Sequence, residues 1–229
     1  MNILAIIPAR GGSKRIPRKN IKEFFGKPII WYSIKAALDS DCFDEIMVST
    51  EDPEIAEISK SLGAEVPFLR SAHAATDHAA SEDVYEEVLN EYRKRGKEFD
   101  YFCCIYATAP LISAVRIKEG FALLRKSGND VLMPVVRFGY PIQRALKIEN
   151  GFLRFLWPEN EDKRSQDLVP AYHDCGQFYW IRTKAFLEKK SFFIEKTIHI
   201  ELPELEVQDI DTEEDWKIAE MKYRILREG

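Results

Sequence analysis

The amino-acid sequence predicts an α/β fold with three layers, in which helices cover both faces of a mostly parallel β-sheet. Apolar runs alternate with amphipathic helical stretches through residues 1–136, which is typical of strands joined by crossover helices. These apolar runs are continuous, as expected for strands that are buried on both faces. With 229 residues, the chain is long enough for one large domain with a buried core, and we expect a single domain over residues 1–229.

The elements of the first part follow from this pattern in order. The apolar runs predict strands at residues 2–8, 45–50, 101–106 and 130–136. Pro28 suits the first residue of a helix, and Asp52 opens a second helix that Gly63 ends. Ser81 is the expected N-cap of a third helix, and a fourth helix ends near Gly128.

The pattern changes after this alternating part. Asn150 and Gly151 lie between residues 144–149 and 152–156, and this dipeptide is the strongest short signal for a hairpin, because both turn residues tolerate positive φ. We therefore expect residues 137–175, called the insertion below, to form a small β excursion. Such an excursion would serve as a lid or as a dimerisation arm.

The last part of the chain returns to the α/β pattern. Strands are predicted near residues 177–182 and 204–208, with a short helix after Thr183. Thr212 and Asp215 have the spacing of a capping box, so the final helix should begin beside them.

The composition limits the classes of function. The chain has 33 Lys and Arg against 38 Asp and Glu, a formal net charge of −5, which argues against a nucleic-acid partner. No apolar run approaches the roughly 20 residues that span a bilayer, so we expect no membrane partner and a cytoplasmic location. The four cysteines and four histidines lack metal-ligand spacing, so we expect reduced thiols and no histidine-bound metal.

Positive charge is concentrated in one loop directly after the first predicted strand. Residues 8–20 (PARGGSKRIPRKN), called the opening loop below, carry five cations within ten residues: Arg10, Lys14, Arg15, Arg18 and Lys19. The adjacent Gly11 and Gly12 allow a tight turn with accessible backbone N–H groups. A glycine-rich cationic loop at the carboxyl end of a strand is typical of phosphate binding and suggests a triphosphate-using enzyme. The alternative is a basic turn that only faces water.

A pair of acidic residues near the end of the chain suggests a metal site. Asp209 and Asp211 lie two residues apart at the end of an extended segment, so their side chains should point to the same side. Two carboxylates on one side suit Mg²⁺, which commonly takes one or two carboxylates together with substrate phosphates. Asp211 alone would also suit helix capping, which requires no metal.

Further polar residues follow other predicted strands. Arg70, followed by residues 74–77, suits a phosphate or base contact, although it would equally suit a surface cation. Residues 106–110 (YATAP) form a turn of small side chains, headed by Tyr106, that leaves room for a ligand.

Residues 140–144 and 172–180 are rich in polar and aromatic groups, as expected for a sugar pocket, although a well-packed hairpin core would explain most of the same aromatics. The candidates for sugar contacts in these segments are Gln143, Arg144, Gln177 and Tyr179.

Taken together, these motifs resemble the CMP-sialic acid synthetase family, the cytidylyltransferases that activate nine-carbon acidic sugars. Residues 7–14 (IPARGGSK) and 17–20 (PRKN) match the nucleotide loop of the family, and residues 24–29 (FFGKPI) follow at the expected distance. The remaining matches, in the order of the family, are the segment around Arg70, the turn at 108–110 and residues 209–212 (DIDT). The resemblance implies a Rossmann-like nucleotidyltransferase fold of the nucleotide-diphospho-sugar transferase type, CTP as a substrate and a homodimer.

The resemblance also implies roles for individual residues. The expected nucleotide contacts are Arg10, Gly11, Gly12, Ser13, Lys14, Lys19, Asn20, Arg70 and Tyr106. Arg10, Lys19 and Asp211 would be catalytic, with Lys19 neutralising charge that develops on the α-phosphate and pyrophosphate. Asp209 and Asp211 would hold Mg²⁺.

Three segments resemble one branch of this family. Sialic acid members usually carry QPTSPLR where this chain reads YATAPLI at 106–112. This segment, together with residues 137–146 and 176–180, is similar to the branch that activates pseudaminic acid for flagellin or surface glycans. N-acetylneuraminic acid and legionaminic acid are the alternative substrates.

Two other classes of function are alternatives. A sugar-1-phosphate nucleotidyltransferase would have a similar fold, but its glycine-rich LxGG opening is absent from this sequence. A catalytically silent nucleotide-binding protein would be expected to lack a cation or an acid of the set, and both kinds of residue are present.

Overall fold

The computed structural model describes residues 1–74 and 80–228 of the 229-residue chain. Its strands are β1 (Ile3–Pro8), β2 (Glu23–Phe24), β3 (Lys27–Pro28), β4 (Glu45–Ser49), β5 (Tyr101–Ile105), β6 (Val131–Arg137), β7 (Leu146–Glu149), β8 (Phe152–Phe155), β9 (Tyr172–Asp174), β10 (Phe178–Arg182) and β11 (Thr197–Glu201). Its α-helices are α1 (Ile30–Ser40), α2 (Pro53–Ser61), α3 (Ser81–Lys94), α4 (Ala114–Ser127), α5 (Thr183–Lys189) and α6 (Glu213–Glu228).

Seven strands form one mixed, mostly parallel sheet in the order β11-β6-β10-β5-β1-β4, with β9 also paired to β6. β1 runs parallel to β4 and β5, and β11 runs parallel to β6. β10 is antiparallel to β5 and β6, and β9 is antiparallel to β6. The predicted α/β sheet is therefore confirmed, with two strands running against the common direction.

Alternating side chains of the central strands face two separate cores. Ile3, Ala5 and Ile7 of β1 pack into a core with α1, α2 and α4, whereas Leu4 and Ile6 face α3 and α5. The same alternation sends the adjacent Cys103 and Cys104 of β5 to opposite cores, and all four cysteines are free thiols. The sheet is therefore the middle of three layers.

A third, smaller cluster joins the two ends of the chain. Ile16 of the opening loop and Phe24 of β2 are buried with Ile210 and with Trp216 of α6. Four aromatic contacts surround Phe24, including one with Trp216 at 5.6 Å between ring centroids. This group, called the terminal cluster below, holds the segment before α6 against the opening loop.

Most predicted elements are confirmed, and the hairpin is among them. β7 and β8 flank Asn150 and Gly151, whose φ angles of 53° and 82° are both positive. The capping box of α6 is also present, since the Thr212 N–H donates to Asp215 at 2.8 Å and the Asp215 N–H donates to the Thr212 hydroxyl at 3.2 Å. In the described part of the chain no helix is both long and apolar enough to cross a bilayer.

Two predicted helix starts and one predicted strand were wrong. Pro28 pairs with Glu23 in the β2–β3 ribbon, so α1 begins two residues later, at Ile30. Ser81 is the first residue of α3 and not its N-cap. The strand expected at residues 204–208 is a short 3-10 turn at Glu204–Glu206, because β11 takes the place beside β6.

The packing of α4 on the sheet leads to a stability prediction for Gly120. A Cβ at this position would lie 3.1 Å from side-chain atoms of Leu132 and Phe178 and 3.2 Å from Trp180. Overpacking costs about 1–3 kcal/mol, which exceeds the roughly 1 kcal/mol that alanine gains over glycine in a helix.

We therefore expect Gly120→Ala to lower the free energy of unfolding by about 1 kcal/mol, measured by urea denaturation. Lys126→Ala, at an exposed position of the same helix, is the control and should change it by less than about 0.5 kcal/mol. A Gly120→Ala variant that is more stable than the wild type would contradict this account of the α4 contact.

Candidate active site

The carboxyl ends of β1 and β5 open into a cleft of about 650 Å³, called the main cleft below. Ligands of parallel sheets bind at this edge. Seven of the nine predicted nucleotide contacts line the cleft: Arg10, Ser13, Lys14, Lys19, Asn20, Arg70 and Tyr106. Thr108 and Asp211 also line it. The structure thus gathers residues from both ends and the middle of the chain.

Two acidic residues after β4 hold the first half of the opening loop. The Gly11 N–H donates to Glu51 Oε1 at 2.7 Å. A Cβ on Gly11 would lie 2.5 Å from Asp52 Oδ2, so only glycine fits this close approach. Gly12 shows no such constraint, since a Cβ there would meet no atom of residues 1–74 or 80–228 within 4 Å. The Gly11 amide, which the sequence assigned to phosphate, is therefore bonded to a carboxylate here.

The same acidic turn holds Arg18 away from the main cleft. The Arg18 guanidinium is bonded to Asp52 and Glu54, and Asp52 also caps α2 by accepting the N–H groups of Glu54 and Ile55. This pairing lowers the pKa of Asp52 below its usual range. Sequence reasoning missed Glu51 and Asp52 as residues that shape the loop, although they directly follow a parallel strand.

The second half of the opening loop is tied to the C-terminal acidic segment. Lys19 Nζ donates to the carbonyl oxygen of Ile210 at 2.6 Å and lies 3.6 Å from Asp211 Oδ1. Arg15 also reaches Asp211 Oδ1, at 2.9 Å. Asn20 donates to the carbonyl oxygen of Arg10 at 2.8 Å, which links the two halves of the loop.

Arg70 is a buried cation at the wall of the main cleft. Its side chain is 8% exposed, which excludes the alternative of a surface cation. Its guanidinium donates to the hydroxyl and the carbonyl oxygen of Ser49, at 3.1 and 2.5 Å. Burial lowers the pKa of Arg70, but a guanidinium remains protonated, so the charge is fixed in place. Residues 75–77, which the sequence grouped with Arg70, lie outside the described residues.

Tyr106 is the wall residue next to the candidate sugar contacts. Its backbone N–H donates to the carbonyl oxygen of Gln177 at 2.8 Å, and its ring lies 5.6 Å from that of Tyr179. Burial raises the pKa of Tyr106 above its usual range, so its hydroxyl stays neutral. Ile112, which stands where sialic acid members usually carry arginine, is buried in the core and does not line the main cleft.

None of the four predicted sugar contacts lines the main cleft. Tyr179 is buried and donates to the Asp174 carboxylate at 2.6–2.7 Å, and the buried Gln177 side chain donates to the carbonyl oxygen of Glu206. Gln143 donates to the carbonyl oxygen of Val169 at 2.7 Å, within the insertion, where Arg144 also lies. Their contact with a sugar stays a prediction.

The Asp209–Asp211 pair offers two carboxylates at the junction of two clefts. Asp211 lines both the main cleft and an adjoining cleft of about 420 Å³ that contains Asp209. The pKa of Asp209 is raised above its usual value by partial desolvation and by the Asp211 charge, although the Lys19 charge acts in the opposite direction. In the described part of the chain no group of three or more His, Cys, Asp or Glu could hold a metal. Two carboxylate donors are of the kind that Mg²⁺ takes together with substrate phosphates and water.

Comparisons with known proteins agree with this geometry. A family model described as cytidylyltransferase matches residues 4–222. A pseudaminic acid cytidylyltransferase of Campylobacter jejuni is 41% identical over 230 aligned positions, which cover 100% of this chain and 99% of that protein. A CMP-N,N'-diacetyllegionaminic acid synthase of Legionella pneumophila is 32% identical, with 100% of this chain and 99% of that protein covered.

A solved structure shares the fold. A CMP:2-keto-3-deoxy-manno-octonic acid synthetase complexed with CTP superimposes with a TM-score of 0.70, at 16% identity and with 100% of both chains covered. At this identity the similarity shows the nucleotidyltransferase fold alone. From the family model and from the sequence relatives together, this chain belongs to the cytidylyltransferase family.

Proposed function

We propose that this protein transfers a cytidylyl group from CTP to pseudaminic acid, giving the CMP-sugar and pyrophosphate. Support comes from its full-length similarity to the Campylobacter jejuni pseudaminic acid cytidylyltransferase. The observation that carries the proposal is the convergence of Arg10, Lys14, Lys19 and Arg70 with Asp211 in one cleft. Several cations opposite a carboxylate fit a polyanion bound together with a metal.

The reaction follows from this arrangement. The anomeric hydroxyl oxygen of the sugar forms a bond to the α-phosphorus of CTP and loses its proton, and the bond to the leaving pyrophosphate breaks with its electron pair on the pyrophosphate. Arg10, Ser13 and Lys14 hold the triphosphate, and Lys19 neutralises charge on the α-phosphate and the leaving group. Asn20, Arg70 and Tyr106 position the nucleotide, so the main contributions of the protein are orientation and charge neutralisation. 

Asp209 and Asp211 are the residues that would hold Mg²⁺. When bound, this ion neutralises phosphate charge and lowers the pKa of an attacking hydroxyl. Desolvation and the charge of Asp211 raise the pKa of Asp209, and a bound cation would offset the repulsion between the two carboxylates.

The insertion supports a homodimer, which we include in the proposal. Ile148 and Phe152 of the β7–β8 hairpin are 78% and 68% exposed, and the neighbouring Val169 is 77% exposed. Apolar side chains concentrated on one projecting element indicate a protein-interaction surface. Gln143 Oε1 and Arg144 Nε are buried here and have no hydrogen-bond partner among the described residues, as expected if the surface is incomplete. A second copy of the chain would bring the same apolar hairpin to this surface, as in the self-complementary interface of a twofold symmetric dimer.

In this proposal the enzyme acts in the cytoplasm, and its product supplies flagellin or other surface glycans. The alternative acceptor is N-acetylneuraminic or legionaminic acid. The 32% identity to the CMP-N,N'-diacetyllegionaminic acid synthase supports legionaminic acid as an alternative.

Pyrophosphate release with CTP tests the reaction and its acceptor together. We expect kcat/KM with pseudaminic acid to exceed that with legionaminic or N-acetylneuraminic acid by at least about tenfold, because misplaced substituents leave polar groups of the site unpaired. Release with a sugar-1-phosphate alone would contradict the reaction, and no release with any acceptor would indicate a silent nucleotide-binding protein. A preference for another nine-carbon acid would overturn only the choice of substrate.

Lys19→Ala tests the assignment of charge neutralisation. Removing this cation should lower kcat by about 100-fold or more, the usual cost of losing one preorganised charge-stabilising group. Lys22→Ala is the matched control, since Lys22 pairs with Glu213 outside the main cleft. Steady-state kinetics in which both variants lose activity equally would show that the effect is not specific to the site.

Phe152→Asp tests the dimer. A charge beside the turn of the exposed hairpin should convert a dimer into a monomer, measured by size-exclusion chromatography with light scattering. Phe193→Asp, at a similarly exposed phenylalanine outside the insertion, should leave the mass unchanged. A wild-type protein that is monomeric at micromolar concentration would contradict the proposed homodimer.

A further inference from the structure

Arg15 is a cation of the opening loop to which the proposed function assigns no role. It lines the main cleft, and its guanidinium lies 2.9 Å from Asp211 Oδ1. The two side chains are 66% and 41% exposed, so the pair is solvated and can open at little cost. Asp211 is also one of the two proposed metal ligands, so a metal and Arg15 would use the same carboxylate.

Two other cations of the opening loop, Lys19 and Arg18, are held differently. Lys19 is anchored by the carbonyl oxygen of Ile210 and lies farther from Asp211, at 3.6 Å. Arg18, three residues after Arg15, is bonded to Asp52 and Glu54 on the opposite side of the loop. Of these three cations, Arg15 therefore makes the shortest contact with the Asp211 carboxylate and has the most exposed side chain.

We propose that Arg15 and a divalent cation compete for the Asp211 carboxylate. When the metal binds Asp211, the Arg15 side chain moves away and binds the triphosphate. The inference rests on the proposed function, because it requires the metal site at Asp209 and Asp211. Arg15 is then a nucleotide-binding residue that also holds the opening loop against the C-terminal segment before the substrates bind. Its guanidinium already lies in the cleft, so a rotation of its own side chain is enough to bring it to a phosphate oxygen.

Arg15 would both compete with the metal and bind the triphosphate, so one substitution should strengthen metal binding and weaken CTP binding. Arg15→Gln removes the competing cation, so it should tighten metal binding by about 1.5- to fivefold, the range expected for an exposed ion pair. The same substitution removes a phosphate contact, so it should raise KM for CTP severalfold with a smaller change in kcat. A residue that only stabilises the loop would weaken both kinds of binding.

The test is metal affinity without nucleotide, measured from the free Mn²⁺ signal in electron paramagnetic resonance. Arg15→Lys keeps the charge and should bind Mn²⁺ about as the wild type does. Arg18→Gln removes one charge from the same loop but leaves Asp211 untouched, so it should also bind as the wild type does. The gain for Arg15→Gln should shrink as the salt concentration rises, because exposed charges are screened.

The outcomes separate this inference from the proposed metal site. Asp211→Asn should weaken Mn²⁺ binding, and equal binding in this variant and the wild type would overturn the metal site itself. Wild-type binding too weak to detect without nucleotide would overturn the competition, because no metal would then displace Arg15 before the substrates bind. If Asp211→Asn weakens Mn²⁺ binding while Arg15→Gln leaves it unchanged, the metal site is supported but the competition between Arg15 and the metal is overturned. An equal gain for Arg15→Gln and Arg18→Gln would assign the effect to net charge and would also overturn it.

Discussion

The active site depends on the terminal cluster, in which Ile16 and Phe24 pack against Ile210 and Trp216. Lys19 and Ile210, whose side chain and carbonyl oxygen are bonded, lie 191 residues apart in the sequence. Burial of the aromatic and aliphatic side chains of this cluster is the main force that keeps these two segments together. Without it, the cations of the opening loop and the Asp209–Asp211 pair would belong to separate surfaces.

Acidic residues on two sides compensate the charge that the packing brings together. Glu51 and Asp52 bind the opening loop at Gly11 and Arg18, and Asp211 binds it at Arg15. Cations that converge on one cleft repel each other, and nearby carboxylates reduce this cost. The arrangement leaves the loop ordered and positively charged towards the cleft, which is the preorganisation that binding a triphosphate requires.

The insertion relates to the cleft through strand β9. Asp174 at the end of this strand accepts the hydroxyl of Tyr179, whose ring packs beside Tyr106 at the wall of the cleft. The same insertion carries the exposed apolar hairpin proposed as the dimer surface. The insertion thus carries the proposed interaction surface and also contacts, through Asp174, the tyrosine that packs on the cleft wall.

Local patterns in the sequence determined most of the fold and the nucleotide half of the site. Continuous apolar runs marked the central strands, the Asn150–Gly151 pair marked the hairpin, and the glycine-rich loop could be located because a loop after a parallel strand must lie at the ligand-binding edge. Only the tertiary structure decided that β11 pairs with β6 and that the Gly11 N–H donates to Glu51. It also decided that Gln177 and Tyr179 are buried. These features depend on contacts between segments far apart in the chain, and periodicity and capping signals describe only neighbouring residues.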